Sequence, residues 1–72
     1  MILFLFESTH AVIAAEKICV GAQIPCAVIP VPRSISSQCG LCIEAAVADR
    51  EPVAALLRES GIIFTIHEGY VK

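Results

Sequence analysis

The order strand, helix, strand, strand, helix, strand along one short chain predicts an α+β domain built on an antiparallel sheet. Three observations carry that expectation. An unbroken apolar run with aromatic residues opens the chain at residues 2–6. Apolar residues recur at helical spacing twice, across residues 9–22 and again after Asp49. Between those helices, two β-favouring segments flank a polar stretch closed by glycine. Helical and extended periodicities are distinct enough to separate these elements.

Residues 2–6 show no alternation, as expected of a central strand covered on both faces. Ser8 or Thr9 then offers an N-cap oxygen, and Ala11, Ala14, Ala15, Ile18 and Ala22 form a stripe against polar Glu16, Lys17 and Gln23. Pro25 forbids continuation of that helix and pushes Ile24 toward an extended conformation. Residues 26–31 read as a strand. Pro30 has no backbone donor, so the strand belongs at an edge. Residues 32–40, P-R-S-I-S-S-Q-C-G, are too long for a tight hairpin turn and rich in polar groups. Residues 41–48 resume as a strand with Leu41, Ile43, Ala45 and Val47 on one face. Asp49 is placed to cap the second helix, Pro52 is tolerated in its first turn, and Val53, Leu56 and Leu57 give it an apolar stripe. Gly61 stands where a helix-ending residue with positive φ is needed, and residues 62–66 form the last strand.

With right-handed crossovers, this order is most economically satisfied by a ferredoxin-like βαββαβ fold. Its four-stranded antiparallel sheet has spatial order 4-1-3-2 and carries both helices on one face. The 72 residues form a single domain, 1–72. A chain of this size buries only about 60% of the surface its unfolded form exposes, which argues against a large enzyme with its own substrate cleft. At 57% apolar and 17% charged residues, disorder is excluded and apolar surface is in excess. A homodimer through the helix-free sheet face is the expected cover.

The charge pattern excludes other classes. Five basic residues, at Lys17, Arg33, Arg50, Arg58 and Lys72, are scattered and outnumbered by seven acidic ones, so no nucleic-acid or anionic-lipid surface is expected. Glu7 stops the longest apolar run far short of the roughly 20 residues needed to span a membrane. The start has no cationic segment or small-residue cleavage site, so a cytoplasmic location with reduced thiols is expected.

In this topology the first strand ends at Ser8, Thr9 and His10, and the second ends at the polar stretch, so both lie at one end of the sheet. The first helix presents its N-terminus there, which favours an anion. Arg33, His10 and that helix end would each lower the pKa of a nearby thiol, and the thiolate is the reactive form. Cys39, among Ser36, Ser37, Gln38 and Gly40, is where no apolar periodicity asks for a hydrophobe. Cys19 and Cys26 read as small buried hydrophobes instead. Cys42 has C-x-x-C spacing from Cys39 but falls on a strand, opposite Leu41 and Ile43, and reads equally as packing or as a resolving thiol.

His10 suits a proton donor or anion ligand, and equally a solvated capping residue. Ser36 and Ser37 most often satisfy loop backbone groups. A four-cysteine zinc site fails, because Cys19 and Cys26 lie at the opposite end from Cys39 and Cys42. No metal or cofactor is expected, and no dinucleotide or phosphate-binding glycine motif is present.

S-T-H after the first strand, A-E-K in the first helix and I-P-V-P-R-S-I-S-S-Q-C-G in the middle resemble the small selenium/sulfur carrier protein-like family. The resemblance covers almost the whole chain and is most specific at P-R-x-I-S-S-x-C-G, residues 32–40. It implies a cargo cysteine matching Cys39 that holds sulfur or selenium as a persulfide or perselenide, with donor and acceptor proteins as partners. Arg33, Ser8, Thr9, His10, Ser36 and Ser37 would then stabilise the anionic cargo, and Gly40 would permit close approach. Such a protein is an accessory carrier rather than a stand-alone enzyme. The other readings of the same residues are a regulatory module binding an anion or partner, and a Cys39/Cys42 thiol-disulfide switch.

Overall fold

The computed structural model describes residues 1–33, 35 and 40–68. Its elements are β1 (Ile2–Phe6), α1 (Thr9–Gly21), β2 (Cys26–Pro30), β3 (Leu41–Ala45), a 3-10 turn (Val47–Asp49), α2 (Arg50–Glu59) and β4 (Phe64–His67). The sheet runs β2-β3-β1-β4 with every neighbouring pair antiparallel. This is the expected order seen from the other edge. Pro30 lies on edge strand β2, where its missing N–H takes nothing from the interior of the sheet.

Strand alternation divides the residues between two faces. Ile2, Phe4 and Phe6 of β1 join Ile43 and Ala45 of β3 in one cluster with Val12, Ala15 and Cys19 of α1 and Val53, Ala54 and Leu57 of α2. Both helices therefore cover the same face. Phe4 is fully buried, and its ring meets Phe64 of β4 at 5.7 Å between centroids with the planes tilted by 57°. Aromatic pairs favour such a tilted geometry over a stacked sandwich. The Arg58 guanidinium of α2 sits 5.7 Å from the centroid of the Phe64 ring, so one side chain ties β4 to both β1 and α2.

The opposite face carries Leu3 and Leu5, with Cys42 and Glu44 beside them on β3 and Thr65 and His67 on β4. Leu3 and Cys42 are fully buried within this chain and Glu44 is nearly so. The apolar area left for a second copy on that face is therefore concentrated at Leu5, Ile29 and Ala27. On β4 the outward positions are the polar Thr65 and His67.

The structure departs from the sequence reading in several details, among them the last strand, which runs Phe64–His67 rather than 62–66. The third strand ends at Ala45 rather than 48, because Asp49 N–H donates to the Ala46 carbonyl at 2.9 Å and closes a 3-10 turn that leaves Val47 62% exposed. Asp49 occupies the α2 N-cap position without a side-chain capping bond. The deepest stripe of α1 is Val12, Ala15 and Cys19, one position round the helix from the expected alanine stripe, and Ala22 is exposed.

Both helices end in the same motif. Gly61 N–H donates to Arg58 and Ile62 N–H to Leu57, with Gly61 at φ 73°. In α1, Gln23 N–H donates to Val20 and Ile24 N–H to Cys19, with Gln23 at φ 60°. These are Schellman closures, and in each the residue after the left-handed position packs on the core. The α1 closure turns the chain back so that β2 begins beside the last turn of the helix.

Candidate functional site

Register places the end of β1, the end of β2 and the start of β3 at one level of the sheet. Leu5 lies opposite Cys42, Ile29 lies opposite the same Cys42, and Pro30 lies opposite Leu41. Residues 32–40 therefore leave and rejoin the sheet at the end where β1 passes into α1. The mouth of this segment is fastened by the Val31 amide, which donates to the Gly40 carbonyl at 3.0 Å. Ile35 N–H donates to the Pro32 carbonyl at 2.9 Å, which gives the first part of the segment a turn. Gly40 has φ 77°, a conformation that costs a residue with a Cβ and is natural for glycine.

On the helix side, Ser8 is the N-cap: its backbone is extended and its Oγ accepts from Ala11 N–H at 3.2 Å. Of the two residues the sequence offered for this role, Ser8 takes it and Thr9 is the first helical residue. Ser8, Thr9 and His10 are all exposed, as are Arg33 and Gly40. The first turn of α1 contains no acidic side chain to neutralise the partial positive charge of its N-terminus. Exposed Glu7 stands just before the cap. This end of the domain thus gathers exposed hydrogen-bonding groups, a helix N-terminus and a cation around the two ends of segment 32–40.

Cys39, Ser36 and Ser37 lie outside the described residues. Cys42 is fully buried on β3, between Leu5 and Ile29 on the helix-free face. Among the described residues, no group of three or more histidines, cysteines or acids could hold a metal ion. No helix of the described residues is long and apolar enough to cross a membrane.

A family model described as "Putative Se/S carrier protein-like" matches residues 1–68. The chain belongs to this family. The match spans every element of the fold, from β1 through β4, so membership is a property of the whole domain rather than of one motif. No curated protein and no solved structure gives a significant match. A carrier family implies partner proteins in general.

The sequence reading missed one relationship. Cys19 and Cys26, taken separately as packing residues, come together: Cys19 lies in the buried cluster and Cys26 packs against it. Cys19 is fully buried in α1, and Cys26 is the half-buried first residue of β2. Burial, then Cys26, then Asp49 push the Cys19 thiol up to about 12. The signal that could have found this pair was the helix stop at Pro25: a chain that must turn at once brings positions 19 and 26 together.

Proposed function

We propose that this domain carries sulfur or selenium between proteins, holding the atom on Cys39 as a persulfide or perselenide. The observation that carries this reading is the family match over residues 1–68, and the stretch P-R-S-I-S-S-Q-C-G at residues 32–40 supplies the cysteine. The anchored ends of that stretch beside the α1 N-terminus support it.

Loading is an exchange in which the Cys39 thiolate attacks the outer sulfur of a donor persulfide. The new Cys39 S–S bond forms, the donor S–S bond breaks, and the donor leaves as a thiolate. Delivery repeats the step with an acceptor thiolate as nucleophile and Cys39 as leaving group. A selenium atom in the outer position follows the same course. Arg33 and the backbone N–H groups at Ser8, Thr9 and His10 stabilise the anionic cargo, Ser36 and Ser37 supply further donors, and Gly40 lets a partner approach closely. Cys42 is the candidate resolving thiol: its thiolate attacks the inner sulfur of Cys39, forms a Cys39–Cys42 disulfide and expels hydrosulfide or hydroselenide. The cytoplasm, where thiols stay reduced, is the compartment this chemistry requires. A homodimer through the helix-free face would leave the loop end open to partners, and sedimentation at micromolar concentration tests it: twice the chain mass is expected, and a monomer removes it.

The test of the carrier reading is incubation with a cysteine desulfurase and cysteine, or a selenocysteine lyase and selenocysteine, followed by mass analysis. The chain should gain one sulfur or selenium atom on Cys39, and Cys39→Ser should gain none. Equal loading of that variant would remove the proposal.

A further inference from the structure

Behind the end of the sheet away from residues 32–40 is a second thiol arrangement. Met1, Pro25, Cys26, Ala27, Glu44 and Asp49 line an open hollow of about 290 Å³. Cys26 thus lines this hollow on one side and packs on the other against the buried cluster that contains Cys19. The geometry points to a dithiol modification site: Cys26 captures a small organic disulfide in the hollow, and Cys19 resolves the adduct to a Cys19–Cys26 disulfide.

The elements are arranged for such closure. The Schellman turn at residues 19–24 ties Ile24 N–H to the Cys19 carbonyl at 2.9 Å, so the last turn of α1 and the first residue of β2 are held side by side by backbone bonds. Closing the pair therefore orders little that is not ordered already. Access is unequal, with one half-buried thiol at the hollow and one fully buried behind it, and this fixes the sequence of events.

In the first step the Cys26 thiolate attacks a disulfide RSSR, forming a Cys26–SR bond and releasing RS⁻. In the second, the Cys19 sulfur attacks the Cys26 sulfur as its proton passes to the departing group, so the second half of the reagent leaves as RSH. Two protein thiols are oxidised by two electrons, and one RSSR is reduced to two thiols. The site is separate from Cys39 and stands whether or not Cys39 carries cargo.

Trypsin separates the two cysteine pairs, since cleavage after Lys17, Arg33 and Arg50 leaves Cys19 and Cys26 in one peptide and Cys39 and Cys42 in the next. The folded chain, wild type and Cys39→Ser/Cys42→Ser, is treated with 2-hydroxyethyl disulfide, alkylated in denaturant and digested. The peptide holding Cys19 and Cys26 should lose two hydrogen atoms and take no alkyl group, and dithiothreitol should reverse this. Cys19→Ser should stop at a hydroxyethylthio adduct on Cys26, and Cys26→Ser should show neither adduct nor disulfide. Two alkylated thiols in the wild-type peptide after oxidation would overturn the proposal. So would an adduct on Cys19 in folded Cys26→Ser. The wild-type result stands alone if either variant fails to fold, which circular dichroism reports.

Discussion

Val31 and Gly40 are joined by a backbone hydrogen bond of 3.0 Å, Val31 donating, and this bond fastens the mouth of the segment that holds Cys39 in sequence. Gly40 reaches it only at φ 77°. Among the described residues no atom would crowd a Cβ at this position, so the expected cost of substitution is backbone strain. Replacement should cost about 1 kcal/mol for Gly40→Ala, less for Gly40→Asn, which tolerates the left-handed region, and more for Gly40→Val. Denaturant melts of the three variants check this order. Equal stabilities would show that the mouth relaxes freely.

Gln23 and Gly61 occupy the same position of two equivalent helix endings, at φ 60° and 73°. Only the second is glycine. Gln23→Gly should therefore stabilise the domain, by about 1 kcal/mol, and Gly61→Ala should destabilise it by a similar amount. Opposite shifts in thermal midpoint are expected.

Much of the fold is legible in the chain because its breaks are chemically sharp. Pro25, Pro30 and Gly61 each permit few conformations, and together with the apolar run at residues 2–6 they determine element order, the edge strand and hence the sheet order. The end of the third strand is not legible, since Ala45, Ala46, Val47 and Ala48 are all apolar and suit a 3-10 turn as well as a strand. The face of α1 is blurred by its composition: with alanine on several sides and Ile13 and Val20 exposed, polar contrast does not separate the stripe through Val12 from its neighbour. At the candidate site, the cap at Ser8 and the co-location of residues 8–10 with the ends of segment 32–40 follow from topology. The proposal that Cys39 carries the cargo rests on its motif. The meeting of Cys19 with Cys26 depends on a left-handed glutamine, which sequence preference would not choose.

Ser8 Oγ satisfies one N–H of the first turn of α1. Ser8→Ala should cost about 1 kcal/mol, while Thr9→Ala, which removes no cap, should cost a few tenths at most. A chemical denaturation pair measures the difference. Equal losses would place the cap elsewhere.

Cys19 titrates near 12 in the folded chain against an ordinary value of 9.0, raised by burial first, then by Cys26 of β2 and by Asp49 of the 3-10 turn. Because the folded value is the higher one, the folded state holds its proton where the unfolded state has lost it. The associated stability is present in full below about pH 9 and is lost as pH rises toward 12. Denaturant midpoints measured across that window should fall more steeply for the wild type than for Cys19→Ala. Parallel profiles would mean that the Cys19 thiol is not held protonated by its surroundings.

The central claim is that Cys39 holds an atom in transit, and a pulse-chase transfer measures this most directly. The protein is loaded with radioactive sulfur by a cysteine desulfurase, separated from the donor and mixed with an acceptor thiol. Label should appear first on the tryptic peptide containing Cys39 and then pass to the acceptor, with neither step seen in Cys39→Ser. Label that settles on the Cys19 and Cys26 peptide, or that never reaches the acceptor, would contradict the account.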